Sequence, residues 1–242
     1  SILGGTFGSR CVTGMLDPDI PGYAEKLAKF GCSPEKAKAA KRDISKYECY
    51  LEYHIEQGDK LDHTGIDVGV VSGIVSIIDY KVTAKGMSNH AGTTMMANRK
   101  DALVGMAKLI VAAEERAREL NDTLVFTVGK ISVSPGQENV IPGQAVANFE
   151  MRHMDKAVID QFYADIQALA KEIPNCEFEF VNTIAKYSTP CDPRLIKLID
   201  GVCTEKGISH VIMPSGAGHD ANPMAHEGVP IGMIFVPSVK GV

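Results

Sequence analysis

Between residues 78 and 85 apolar and polar side chains alternate, Ile78, Tyr80, Val82 and Ala84 against Asp79, Lys81, Thr83 and Lys85. That is the period of a strand with one face buried. From Asn98 to about Leu120 the period lengthens. Ala102, Leu103, Met106, Leu109, Ile110 and Ala113 form an apolar stripe opposite Lys100, Asp101, Lys108, Glu115 and Arg116, which predicts an amphipathic helix. An extended run over 123–133 leads into a Pro135-Gly136 turn. A third strand is predicted over 145–153, with Ala147, Phe149 and Met151 on one face and Asn148, Glu150 and Arg152 on the other. Asp155 is placed to cap a second helix lined by Val158, Phe162, Ile166, Leu169 and Ile173 and ended by Pro174. A last strand turns Cys176, Phe178 and Phe180 inward and Glu177 and Glu179 outward. The order strand, helix, strand, strand, helix, strand predicts a four-stranded antiparallel sheet with two helices on one face.

The flanking segments read differently. A charged amphipathic stretch covers Tyr23 to Phe30, and a strand ends at His54. A short helix is predicted over 192–207 through Leu195, Leu198, Ile199 and Val202. Val211-Ile212-Met213 and the run from Ile231 to Val236 are continuous and apolar, as strands buried on both faces of a parallel sheet would be. The expected fold is therefore α/β: part of a larger domain with a mixed or parallel sheet over 1–73 and 185–242, carrying an inserted βαββαβ (ferredoxin-like) domain over 74–184.

Composition narrows the classes of function. Of the 242 residues 45% are hydrophobic and 23% charged, enough apolar surface to exclude a disordered tail or a fibre. Lys plus Arg is 25 and Asp plus Glu is 30, so the charge is 25 − 30 = −5. With no basic run, there is no electrostatic footprint for nucleic acid. No stretch reaches the ~20 apolar residues of a membrane-spanning helix. The six cysteines show no C-x-x-C pair, and their low density reads as reduced structural thiols in the cytoplasm. The chain opens on Ser1-Ile2-Leu3 without Met or signal peptide and stops at Lys240-Gly241-Val242 just after an apolar run. Both ends read as cut.

Four polar clusters interrupt the apolar pattern. His54, in Leu51-Glu52-Tyr53-His54-Ile55-Glu56-Gln57-Gly58, stands at a strand's carboxyl end, where α/β sheets bind ligands. It suits a metal ligand or a general base, or else a surface His in a polar turn. His90, within Ser88-Asn89-His90-Ala91-Gly92-Thr93-Thr94, has small neighbours that let another group approach, as in an oxyanion or carboxylate site. An ordinary capped helix-entry loop is the alternative. Asn139, in Asn139-Val140-Ile141-Pro142-Gly143, and Arg152 supply an amide and a planar fork for a small carboxylate; otherwise Arg152 is a solvated charge. Pro214-Ser215-Gly216-Ala217-Gly218-His219-Asp220-Ala221 is a Gly-rich loop that could turn backbone N–H groups toward an anion. It lacks the Lys-Ser/Thr of a phosphate loop.

Taken with Phe7-Gly8-Ser9-Arg10 and Met233-Ile234-Phe235-Val236-Pro237-Ser238, these clusters resemble, in order, the motifs of the hydantoinase/carbamoylase branch of the M20 metallopeptidase-like amidohydrolases. The resemblance runs along nearly the whole chain. It implies an α/β catalytic domain with two divalent metal ions, zinc or manganese, with cobalt or nickel also suited. It also implies an inserted lid that forms a homodimer, and hydrolysis of a non-peptide C–N bond in a small ureido or carbamoyl acid. By the same resemblance His54 matches a metal ligand and Gln57 lies in the substrate region. His90 matches a lid histidine that holds the substrate or reacting oxyanion. Asn139 and Arg152 match the pair that binds the substrate carboxylate, and Gly216, Ala217, Gly218 and His219 line that pocket. Met95 stands where the family has Pro. The family's upstream His, Asp and Glu-Glu ligands and its last His have no counterpart in these residues, so the chain reads as an internal fragment. An inactive chain that keeps its lid-mediated dimer is the competing expectation, and an aminoacylase or peptidase of the wider superfamily is a third.

Overall fold

The computed structural model describes residues 5–16 and 22–239; residues 1–4 and 240–242, the ends that read as cut, lie outside them. In chain order the elements are α1 (Phe7–Thr13), α2 (Tyr23–Ala28), α3 (Pro34–Ala39), β1 (Tyr50–Ile55), α4 (Lys60–Thr64) and β2 (Val68–Ile74). There follow β3 (Ser76–Lys85), β4 (Asn89–His90), α5 (Ala102–Leu120), β5 (Val125–Ser134), β6 (Val140–Ile141), β7 (Gln144–His153), α6 (Lys156–Glu172) and β8 (Glu177–Lys186). The chain closes with β9 (Thr189–Pro190), α7 (Pro193–Glu205), β10 (His210–Ser215), α8 (Ala221–His226) and β11 (Ile231–Val236). It divides into two compact units, 1–74 with 189–242, and 75–188. Among the described residues no helix is long and apolar enough to cross a membrane.

The unit over 75–188 is an antiparallel sheet in the order β5-β7-β3-β8. Helices α5 and α6 cover one face. Alternation decides which face: Ile78, Val82 and Ala84 of β3 and Ala145, Ala147, Phe149 and Met151 of β7 are buried together with Met106, Leu109, Phe162 and Ile166 of the helices. Helix α5 starts at Ala102, later than the expected Asn98, because Asp101 accepts hydrogen bonds from the Leu103 and Val104 amides and sets the N-cap there. Asp155 caps α6 as its position predicts. Strand β8 runs past the expected Phe180 to Lys186, because β3 offers it partners as far as Ile77. Beyond the sheet end marked by Lys85 and Gln144, β4 and β6 pair as a short ribbon that the pattern did not suggest.

In the other unit the sheet runs β1-β11-β2-β10, with β9 against β2. It is mixed: β1 is parallel to β11 and β10 to β2, but β11 meets β2 antiparallel. One face carries α7, whose Ile199 and Cys203 pack on Val70. The other buries Leu61, Val71, Met213, Met224, Met233 and Phe235. The run at 211–213 is not buried on both faces, for β10 is an edge strand and Ile212 is 52% exposed. All six cysteines are free thiols.

His210, at the start of β10, places Nε2 3.0 Å from Asp200 and Nδ1 2.8 Å from the Ile208 carbonyl. The carbonyl first, and then Asp200, raise its pKa above the ordinary imidazole value. A raised folded-state value gives stability that is full below the unfolded pKa of ~6.5 and lost as pH rises through the folded one. Replacing His210 with Gln should therefore lower the melting temperature most at or below about pH 6 and least in alkali. Thermal unfolding of both proteins across that range checks it.

Candidate metal centre

Strand alternation puts Tyr50, Glu52 and His54 of β1 on one face and Leu51, Tyr53 and Ile55 on the other. Glu52 and His54 are aligned with Met233 and Phe235 of the parallel neighbour β11, so they lie over the face that buries those side chains. The loop after β10 crosses the same face. Its His219 ring stands edge-on to His54 at 4.8 Å and tilted against Phe235 at 5.6 Å. Glu52, His54 and His219 each offer one ligand atom, all within 4.8 Å of one another. The group rests on the sheet face rather than wholly beyond the strand ends, since Glu52 is in mid-strand.

Hydrogen bonds fix each member. Glu52 is nearly buried; one oxygen accepts from the Ala221 amide at 2.7 Å, and the other lies 3.4 Å from His219 Nδ1. Burial pushes its carboxyl up, but the bonds from His219 and Ala221, with the charges of His219 and His54, outweigh this and hold it below its usual value. His219 Nε2 lies 2.6 Å from the Ser215 hydroxyl. His54 Nδ1 lies 2.7 Å from the Ile55 carbonyl. A carbonyl only accepts, so Nδ1 carries the proton and Nε2 keeps the lone pair, the form in which imidazole binds metals. Tyr50 stays a neutral phenol, pushed up to about 12 by burial and then by Glu52 and Asp220.

The donor set of two imidazoles and a carboxylate fits a divalent ion such as Zn²⁺ or Mn²⁺. Of the three, His54 alone keeps a ligand atom with no hydrogen-bond partner among the described residues, Nε2. Glu52 and Ser215 were not singled out from sequence. The available signal for Glu52 was its place two residues before His54, on the same strand face.

The turn after β1 has its own logic. Glu56 folds back to accept from the Lys60 and Leu61 amides at 3.1 and 2.8 Å, capping α4, where Asp59 makes no side-chain cap. A Cβ at Gly58 would stand 2.8 Å from Glu56 Oε1, so a larger residue there would push the capping carboxylate aside. Gln57 between them is left-handed at φ 58 and exposed. Ser238 donates to the Gly58 carbonyl at 3.2 Å, and Ser9 to Asp220 at 2.6 Å. Motifs more than 170 residues apart are thus tied together in pairs.

The remaining candidates lie elsewhere. His90 is exposed on β4, its Nδ1 accepting from the Gly92 amide at 3.1 Å. Asn139 is beside it, its carbonyl accepting from the Ala91 amide at 2.9 Å. Arg152 is on the sheet's open face, paired with Glu150 at 2.7 Å. It is not brought to Asn139. Arg152 is aligned with Ile77, whereas the ribbon leaves the sheet at Lys85 and Gln144, eight residues along β3, or ~27 Å at ~3.4 Å per residue. Gly216 and Gly218 are exposed and Ala217 half-buried, but the His219 side chain is 1% exposed and turned inward.

Residues 72–175 match the peptidase dimerisation domain of the M20 family. Fold and match together define an M20-type chain, a mixed α/β unit interrupted by that domain. Over 250 residues the chain is 32% identical to allantoate amidohydrolase of Escherichia coli, and over 249 residues 34% identical to N-carbamoyl-L-amino acid amidohydrolase of Geobacillus stearothermophilus. Each alignment takes in 98% of this chain and 60% of the relative. A hydantoinase/carbamoylase family amidase from Burkholderia ambifaria superposes with a TM-score of 0.85 at 26% identity, over 98% of this chain and 60% of that one. The chain belongs to the hydantoinase/carbamoylase family of M20-like amidohydrolases and spans about 60% of the length of these relatives.

The Glu56 cap and the strained Gln57 give opposite expectations for stability. Glu56→Ala should cost about 0.5–2 kcal/mol through the lost cap. Gln57→Gly should add about 1 kcal/mol by relieving the left-handed residue. Urea unfolding midpoints of the two variants decide both.

Proposed function

We propose that the protein hydrolyses a non-peptide C–N bond of a small ureido or carbamoyl acid, with allantoate and N-carbamoyl-L-amino acids as the substrates to try. The observation that carries this is the Glu52–His54–His219 group in a chain of this family. A divalent ion held through His54 would supply Lewis-acid chemistry, polarising the C=O of the scissile group. The chain's own residues then bind and orient. Arg152 supplies a fixed cation for the substrate carboxylate, with donors suited to two parallel hydrogen bonds. Asn139 adds an amide donor, and Gln57, exposed on its rigid turn, a second amide beside His54. Ring nitrogen Nδ1 of His90 accepts from Gly92, so Nε2 carries the proton and can donate to a developing oxyanion. The loop at 216–218 adds backbone donors.

The separation of Arg152 from His90 and Asn139 supports a homodimer. A small carboxylate cannot bridge ~27 Å, so the two groups serve one substrate only when different chains supply them. The dimerisation-domain match favours the same assembly.

Activity is tested on the full-length protein loaded with Zn²⁺ or Mn²⁺, by ammonia release from allantoate and carbamoyl amino acids. Replacing Arg152 with Ala should raise KM by about 10- to 100-fold, the worth of a charge-assisted hydrogen bond of ~1.5–3 kcal/mol, and change kcat little. Unchanged kcat/KM would remove Arg152 from the site. Light scattering should give twice the chain mass; a monomer would remove the shared-site arrangement.

A further inference from the structure

The loop that carries His90 is closed at its base by backbone. The Met87 amide donates to the Lys100 carbonyl at 2.7 Å. A Cβ at Gly86 would stand 2.1 Å from that same oxygen, so a side chain there would force the base open. Two more bonds tie the loop down, from the Ala91 amide to the Asn139 carbonyl at 2.9 Å and from the Ala102 amide to the Pro142 carbonyl at 3.0 Å. Arg99 stands next to this base, half-buried. Its guanidinium is turned to the backbone: Nε donates to the Thr94 carbonyl at 3.1 Å and Nη2 to the Ala91 carbonyl at 2.5 Å. These two nitrogens form one edge of the planar fork.

The Ala91 carbonyl belongs to the same peptide group as the Gly92 N–H, and that N–H donates to His90 Nδ1 at 3.1 Å. A peptide group is planar and trans, so holding its oxygen sets the direction of its N–H. One peptide plane therefore joins the Arg99 fork to the His90 ring. A cation on the oxygen also polarises the N–H at the other end and strengthens the bond it makes. The second arm of the fork acts alongside. The Thr94 amide and hydroxyl both donate to the His90 carbonyl, at 3.2 and 2.8 Å, and the Thr94 carbonyl is the one that Nε holds. The ring lies close on this turn, for a Cβ at Gly92 would stand 3.2 Å from His90 Cε1. Without the fork, the exposed Ala91–Gly92 peptide could rotate and take its N–H away from the ring.

We propose that Arg99 is a positioning residue for His90: its guanidinium edge holds the Ala91–Gly92 peptide in the orientation that keeps the Gly92 N–H on Nδ1 and the proton on Nε2. The task needs two donors fixed in one plane, so a lysine, with a single rotating ammonium, is not equivalent. The effect on turnover rests on the reading of His90 as the oxyanion donor; the effect on the loop does not.

The loop is tested on the ¹⁵N-labelled 242-residue chain at about pH 8, where an ordinary imidazole is neutral. In the unaltered protein the His90 ring signals, assigned through their loss in His90→Gln, should show Nε2 protonated. Arg99→Met keeps an unbranched stem and removes the donors. It should move His90 toward mixed tautomers and speed exchange of the Gly92 amide by about 10-fold, the worth of one charge-assisted hydrogen bond. Arg99→Lys keeps the charge without the fork and should restore only part of both signals; it carries the test if the Met variant does not fold. In the full-length protein loaded with Zn²⁺ or Mn²⁺, Arg99→Met should lower kcat by about 10- to 100-fold and leave KM nearly unchanged, short of the ~10²–10³ lost with an oxyanion donor itself. Unchanged His90 nitrogens and Gly92 exchange in Arg99→Met would overturn the proposal, as would an Arg99→Lys chain indistinguishable from the unaltered one. If the loop signals change and kcat does not, the hold of Arg99 on His90 stands and the part of His90 in the reaction falls.

Discussion

A carboxylate taken out of water must be met by donors or it neutralises, and Glu52 is such a carboxylate. Its partners come from far along the chain: the amide that opens α8 and the ring of His219. Those bonds are possible only because β1 lies parallel to β11 in a register that aligns Glu52 with Met233. A shift of one residue would turn Glu52 and His54 to the opposite face and bury Tyr53 in their place. The polar group thus depends on strand register, and the register is set by the apolar residues that Met233 and Phe235 join. The path of the loop at 216–220 and the start of α8 both go with satisfying this one buried group.

The turn at 54–58 shows how much chemistry a short motif can hold in its backbone. Glu56 is occupied as a helix cap, Gly58 makes room for it, and Gln57 between them takes a left-handed conformation that an isolated Gln rarely adopts. Strain of this kind persists where surrounding bonds over-determine it. Here those bonds are the cap, the Glu56 amide on Val236 and the Ser238 hydroxyl on Gly58. The result is an exposed amide side chain on a rigid base next to a histidine of defined tautomer.

In the unit over 75–188 the sheet acts as a spacer. Its core is apolar and tightly closed on the helix side, so the polar residues of β7 are left for the open face and the β4–β6 ribbon for one end. Asn139 and His90 are carried together because their short strands pair, whereas Arg152 is held near the other end by its place in β7. A stiff antiparallel sheet cannot fold to bring the two ends together. Within one chain the strand register therefore assigns the two groups to opposite ends of β7 and β3.

Much of this was legible in the chain itself. The alternation from Ile78 to Lys85, the stripe from Ala102 to Ala113 and the cap at Asp155 determined the strands and helices of the βαββαβ unit, because burial of one face imposes its period on the sequence. His54, His90 and the Gly-Ala-Gly-His-Asp loop stood out because polar groups interrupted apolar runs. The pairing of β11 with β2, the edge position of β10 and the small strands β4 and β6 were not legible, since pairing partners are chosen by distant segments. The same holds for Glu52 and Ser215, ordinary polar residues until a loop some 160 residues away closes over one of them. It holds for His219, whose burial no local pattern reveals. The sequence by itself determined the main strands and helices of the βαββαβ unit and some of the side chains that carry chemistry. Only the tertiary structure decided which of those side chains meet, because hydrogen bonds to a buried carboxylate are satisfied across the fold and not along the chain.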